Sequence, residues 1–153
     1  MTTNTLAAGT LVREIEIRAP AAKVFAALTD PKQVPAWWGS EDTYRCTTME
    51  VDFRVGGTWS TTGVGSDGKP FVVGGEYRII DPPHLVEFTW HYDWGQSDVN
   101  TVVRYELTER AAGVTHLRVV HTGFADAKGR DDHGDGWIHV LGWLRDHVEG
   151  PST

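Results

Sequence analysis

Apolar and polar residues change their period twice along the chain, and the changes divide it into elements. From Leu11 to Arg18, LVREIEIR alternates, with Leu11, Ile15 and Ile17 on one face, which predicts a half-buried strand. Ala19-Pro20 then opens AAKVFAALT, where Pro20 suits a first helical turn and Val24, Phe25 and Leu28 make an apolar stripe; a short helix ending before Asp30-Pro31 follows. Pro31 starts a second short helix, which Pro35 confines to a turn or two before Gly39.

Beyond that point the period is two. Thr43 to Phe53 carries Met49, Val51 and Phe53 on one face and Glu50, Asp52 and Arg54 on the other, and Gly56-Gly57 turns the chain into TWSTTG. Asp67-Gly68 makes the next turn, and in FVVGGEYRII the Gly74-Gly75 pair predicts a bulge or sharp bend. After Asp81-Pro82-Pro83, LVEFTWHY aligns Val86, Phe88, Trp90 and Tyr92, VNTVVRYELTE aligns Val103, Tyr105 and Leu107, and VTHLRVVHT aligns Leu117, Val119 and His121. From Asp135, which suits an N-cap, Trp137, Leu141, Leu144 and Val148 recur at helical spacing until Gly150-Pro151. The sum is an α+β domain: a curved antiparallel sheet of about six to seven strands wrapped around a long C-terminal helix, with two short helices after the first strand closing one end. Residues 1–10 read as a flexible N-terminus and 11–150 as one domain.

Composition narrows the function classes. The 153 residues carry 21 Asp plus Glu against 14 Lys plus Arg, a formal charge of -7, so nucleic acid and anionic membrane surfaces are repelled overall. No apolar run approaches the roughly 18 residues that cross a bilayer, and stable membrane association is not expected. The single cysteine cannot form an internal disulfide, and MTTNTLAAGT lacks the charged-then-apolar build of a signal peptide; a cytoplasmic location is the expectation. Seven tryptophans form a heavy aromatic load that either fills a core or lines a cavity.

Over Val12 to Val148 the chain resembles the START-like superfamily (SRPBCC), specifically its bacterial homologues of the heat-shock-protein ATPase activator. The likeness rests on IRAPAAKVFAALTDPKQVPAWWG, VDFRVGGTW, GGEYRIIDPPHLVEFTW, THLRVVHTGF and GWIHVLGWL in this order and spacing. It implies a helix-grip fold with a deep apolar cavity between sheet and last helix. It also implies a range of activities, from binding lipids, hormones or polyketides, through cyclisation, to chaperone stimulation in the stress response.

The candidate ligand-binding residues follow from this frame. Trp37 and Trp38 sit side by side at the mouth formed by the short helices, and Phe53, Trp59, Trp90 and Tyr105 share the inward parity of their strands. Trp137, Leu141 and Leu144 face them from the last helix. His121, in phase with Leu117 and Val119, is the most interesting polar group: it orients a ligand or carries a proton, or it is a buried histidine bonded to its neighbours. His121 and Tyr105 are accordingly the catalytic candidates if the domain is a cyclase, dehydratase or hydrolase; otherwise it binds a small apolar or aromatic ligand without reaction. Arg13 and Arg45 share inward parity but read as solvent-exposed, and Cys46 has the opposite parity from Met49 and Val51, facing away from the cavity.

No metal or other cofactor is expected. His133, His139 and His147 lack the spacing that presents two ligands on one helical face, and DAKGRDDHGDG departs from a calcium loop and reads as a solvated acidic connector before the last helix. GGTW and GGEY sit within hairpins and do not open helices, so phosphate binding has no visible apparatus. A homodimer through a sheet edge or through the aromatic segment is compatible with the sequence, as is a chaperone partner suggested by the family alone.

Overall fold

The computed structural model describes residues 9–39, 44–65, 67–92, 101–123 and 127–150, with the backbone alone at 92 and 127–135. The strands are β1 (Leu11–Ile17), β2 (Tyr44–Val51), β3 (Thr58–Gly65), β4 (Pro70–Asp81), β5 (Leu85–Tyr92), β6 (Thr101–Ala111) and β7 (Val114–Thr122). The helices are α1 (Ala21–Thr29), α2 (Val34–Trp37) and α3 (Ala127–Glu149). All seven strands form one antiparallel sheet in the order β1-β7-β6-β5-β4-β3-β2. Consecutive strands from β2 to β7 are neighbours, and β1 returns to close on β7, so α1 and α2 cross from one sheet edge to the other.

Three irregularities in pairing bend the sheet, between Cys46 and Thr48, Tyr77 and Ile79, and Glu109 and Ala111. The predicted bend at Gly74-Gly75 has a local cause. A Cβ on Gly75 would collide with the carbonyl oxygen of Thr89, so only glycine lets β5 approach there. Regular ladder pairing lapses beside it, and side chains take over: the Glu76 N–H donates to Thr89 Oγ1 at 2.8 Å and the Trp59 indole N–H to the Thr89 carbonyl at 3.1 Å. The concave sheet then receives α3 through Trp137, Val140, Leu141, Leu144 and Val148, all buried.

Side chains from the far end of the sequence pin the first helix. Pro20 caps α1 without a side-chain bond of its own, and Glu109 of β6 supplies the missing acceptor, taking the Ala21 N–H at 2.8 Å. Thr115 Oγ1 donates to the Ala19 carbonyl at 2.6 Å, and Glu149 at the end of α3 accepts the Arg18 N–H at 2.9 Å. On the convex face, ion pairs run from Arg118 through Glu106 and Arg104 to Glu87 and Arg78, and His116 Nε2 is hydrogen-bonded to the Glu14 carboxylate at 2.6 Å.

Several expectations are corrected. α3 begins at Ala127, not Asp135: the acidic stretch from 127 is helix, carrying no apolar stripe by which its period could be read. β2 ends at Val51, which leaves Phe53 outside the strand and 41% exposed, its ring edge-on to Tyr77 at 5.1 Å and to Phe25 at 6.3 Å. Cys46 is buried on the inner side, because the extra residue at the irregularity following it reverses the parity between Cys46 and Met49. Arg45 is exposed; Arg13 is half-buried and donates to its neighbour's carbonyl, Val12, at 2.8 Å. Among the described residues no helix is long and apolar enough to cross a membrane.

Candidate binding cavity

The two adjacent tryptophans have different surroundings. Trp37, on the last turn of α2, is buried and its indole N–H donates to the Ala27 carbonyl at 2.9 Å, fastening α2 to α1. Trp38 leaves the helix and turns inward; its N–H donates to the Tyr44 hydroxyl at 3.1 Å, and its carbonyl accepts the Cys46 N–H at 3.0 Å. Gly39 makes that passage feasible, with φ of 119° and a Cα packed so tightly against the Tyr44 carbonyl that a side chain would collide.

Between the sheet, α3 and this segment lies a cavity of about 370 Å³. Its aromatic wall is Trp38, Trp59, Trp90, Trp137, Phe88 and Tyr105, with Tyr44, Phe71 and Tyr77 completing it on the β2 and β4 side. Trp38 stacks on Trp90 with centroids 5.8 Å apart and meets Trp137 edge-on at 5.7 Å; Trp59 lies 5.4 Å from Trp90 and 5.2 Å from Phe88. Gly136 and Val140 of α3, Cys46, Met49 and Thr61 of the hairpin, and Leu28 and Val34 of the short helices contribute to the remaining wall.

The polar groups of this wall are largely turned away from the space they enclose. The indole N–H groups of Trp38, Trp59 and Trp137 are spent on Tyr44, on the Thr89 carbonyl and on His121, respectively. Trp90 Nε1 is buried with no acceptor among the described residues. Trp137 Nε1–H donates to His121 Nδ1 at 3.0 Å, which fixes His121 as the tautomer protonated on Nε2. That Nε2–H then donates to Thr101 Oγ1 at 2.9 Å, and the Thr101 hydroxyl donates to the Trp90 carbonyl at 2.8 Å. The relay joins α3 to β7, β6 and β5 and orients two of the wall's tryptophans.

No lining residue among those described is Asp, Glu, His, Lys or Arg. Tyr105 is 2% exposed, and its hydroxyl has no hydrogen-bond partner among the described residues. Burial pushes the Tyr105 phenol well above the usual tyrosine range, with further upward contributions from Tyr77 and Tyr44, and burial likewise raises Tyr77. Burial raises Tyr44 too, against the hydrogen bond from Trp38, and pushes the Cys46 thiol up to about 11. The ionisable groups among the described wall residues, Tyr44, Cys46, Tyr77 and Tyr105, are therefore neutral at physiological pH.

Of the sequence-predicted site residues, the structure gathers Trp38, Trp59, Trp90, Tyr105 and Trp137 around the cavity. Trp37, Phe53, His121, Leu141 and Leu144 are not on its wall. His121 is fully buried beyond the Trp137 ring with both ring nitrogens engaged, and Leu141 and Leu144 belong to the core. Tyr44, Cys46, Phe71 and Tyr77 are additional wall residues; Phe71, Val73 and Tyr77 share one strand parity in FVVGGEYRII, a signal that could have found them. Among the described residues no cluster of three or more His, Cys, Asp or Glu could hold a metal ion.

Comparison with known proteins fits this architecture. Residues 18–149 match the family described as Activator of Hsp90 ATPase homolog 1-like protein. The chain belongs to that family. Among solved structures, this family member is similar to a Chromobacterium violaceum protein, with TM-score 0.79 and 23% identity over 94% of this chain and 99% of that one. It is similar also to an Arthrobacter aurescens protein, with TM-score 0.81 and 22% identity over 95% and 89% of the two chains. A third, described as an HSP90 activator from Plasmodium falciparum, has TM-score 0.70 and 22% identity over 95% and 99%. At these identities the structural likeness establishes the fold alone. No curated protein matches the chain.

Proposed function

We propose that the domain binds a small, largely apolar ligand with an aromatic core in the cavity between the sheet and α3. One observation carries this reading: a partly open cavity of about 370 Å³ walled by indole and phenyl rings, three of the four indole N–H groups being committed to protein acceptors. That volume falls in the range of small-molecule sites, and a wall of ring faces and edges favours flat aromatic partners. Retaining it empty would forgo packing that a core of this size normally makes. Binding without reaction is the form supported, because the wall offers no charged acid or base among the described residues and His121 has its nitrogens occupied.

The test is a titration of the protein with fatty acids, flavonoids and aromatic polyketides, followed by tryptophan fluorescence. Trp38, Trp59, Trp90 and Trp137 all lie on the wall, so a bound aromatic ring must alter their emission. Saturable quenching by at least one aromatic class is expected; no saturable change with any class overturns the reading.

A second reading, chaperone stimulation, draws on the family match and on the printed description of the Plasmodium falciparum neighbour. It predicts that the purified domain raises the ATPase rate of the Hsp90 from its own cell, and an unchanged rate at saturating domain removes it.

A further inference from the structure

The cavity has a charge character more specific than its apolarity. Among the described residues its lining contains no cation to meet a carboxylate or phosphate and no anion to meet an amine. The whole chain carries a formal charge of -7, which works against anions before they arrive. Moving an unpaired ion from water into such a space is strongly unfavourable. The wall is nevertheless not inert, since Tyr105 has a hydroxyl with no hydrogen-bond partner among the described residues, on a side chain otherwise buried between Phe88 at 5.4 Å and Trp137 at 6.0 Å.

We propose that the ligand enters uncharged and carries a carbonyl or hydroxyl oxygen that accepts a hydrogen bond from the Tyr105 hydroxyl, its aromatic core lying among Trp38, Trp59, Trp90 and Trp137. This rests on the binding reading above and narrows it: neutral aromatic ketones and phenols are taken, while the carboxylates of the same shape are refused. Burial, which raises the Tyr105 phenol, keeps it protonated and so a donor throughout the physiological range. Tyr105 positions the ligand; no bond is made or broken.

Three compounds of nearly one shape separate the possibilities: 2-acetylnaphthalene, 2-naphthoate and 2-isopropylnaphthalene, each measured by equilibrium dialysis at pH 7.5. The ketone is expected to bind most tightly and the carboxylate on the order of 100-fold more weakly. Tyr105→Phe is expected to weaken the ketone about fivefold while leaving the hydrocarbon unchanged, as loss of one hydrogen bond does. Unchanged hydrocarbon binding also reports that the variant is folded with its cavity intact. Equal affinity for ketone and carboxylate overturns the charge inference, and equal loss of ketone and hydrocarbon in Tyr105→Phe overturns the role of the hydroxyl; either leaves cavity binding standing. Failure of all three compounds to bind overturns both levels together.

Discussion

Gly136 offers a perturbation whose sign reports on the cavity. It lies on the cavity wall within α3, one helical turn before Val140, and a Cβ placed on it meets no atom of the described residues within 4 Å. Gly136→Leu therefore has three terms. Replacing glycine in a helix interior contributes about 0.8 kcal/mol. Burying the leucine side chain contributes about 2 kcal/mol, against about 0.7 kcal/mol of lost rotamer freedom. The net expectation is a stabilisation of about 2 kcal/mol, or roughly 4–8 °C in Tm for a domain of this size. The same leucine fills space that a ligand needs, so 2-acetylnaphthalene should bind at least tenfold more weakly. Gly142→Ala separates the terms, because Gly142 is off the cavity wall and its Cβ also has open space. That variant should gain about 0.8 kcal/mol from helix propensity with binding unchanged. Calorimetric melts and dialysis on both variants decide the matter. A fall in Tm for Gly136→Leu means that the region is packed, as overfilled cores lose about 1–3 kcal/mol, and refutes the reasoning.

Other outcomes follow from the same geometry. Trp137→Phe removes the donor to His121 Nδ1 and should destabilise the domain by about 2 kcal/mol in urea unfolding, more than the loss of ring area alone, by stranding a buried nitrogen. Cys46, with its thiol pushed up to about 11, should react with a disulfide reagent at pH 8 about a hundredfold more slowly than a free thiol, and a bound aromatic ligand should slow it further. For Glu106, burial alone would raise the carboxyl, but hydrogen bonds and charge from Arg118 and Arg104 hold it below its ordinary value of 4.5. A lowered folded-state value means that the unfolded chain binds more protons, so this stabilisation is present above pH 4.5 and is lost as pH falls through the folded value. Glu106→Gln should accordingly flatten the acid limb of a stability-against-pH curve; an unchanged limb contradicts the assignment.

What could be read from the sequence divides along a physical line. Strand faces were legible where pairing is regular: Val103, Tyr105 and Leu107 on β6 register with His121, Val119 and Leu117 on β7, so alternation alone places all six inward. Cys46 escaped because an extra residue in one strand flips parity without leaving a mark in the hydrophobic pattern. The first turns of α3 escaped because a helix without an apolar stripe has no visible period, however it is held in the fold.

Trp37 and Trp38 were legible as a pair but not individually. Consecutive residues at a helix end diverge, and which meets α1 and which meets the cavity is decided by contacts with Ala27 and Tyr44, 10 and 6 residues away in the chain. The inward parity of His121 could be read, but its engagement could not, since its partners Trp137 and Thr101 arrive from α3 and β6. Side-chain hydrogen bonds across long sequence separations are fixed by tertiary packing, and it is these that withdraw the polar atoms and leave the wall apolar.

Xenon pressurisation of crystals tests the central claim most directly, because the gas enters apolar spaces without needing any specific contact. The prediction is noble-gas density enclosed by Trp59, Trp90, Tyr105 and Trp137 beneath α3. Side chains filling that space, with no xenon bound there at saturating pressure, would contradict it.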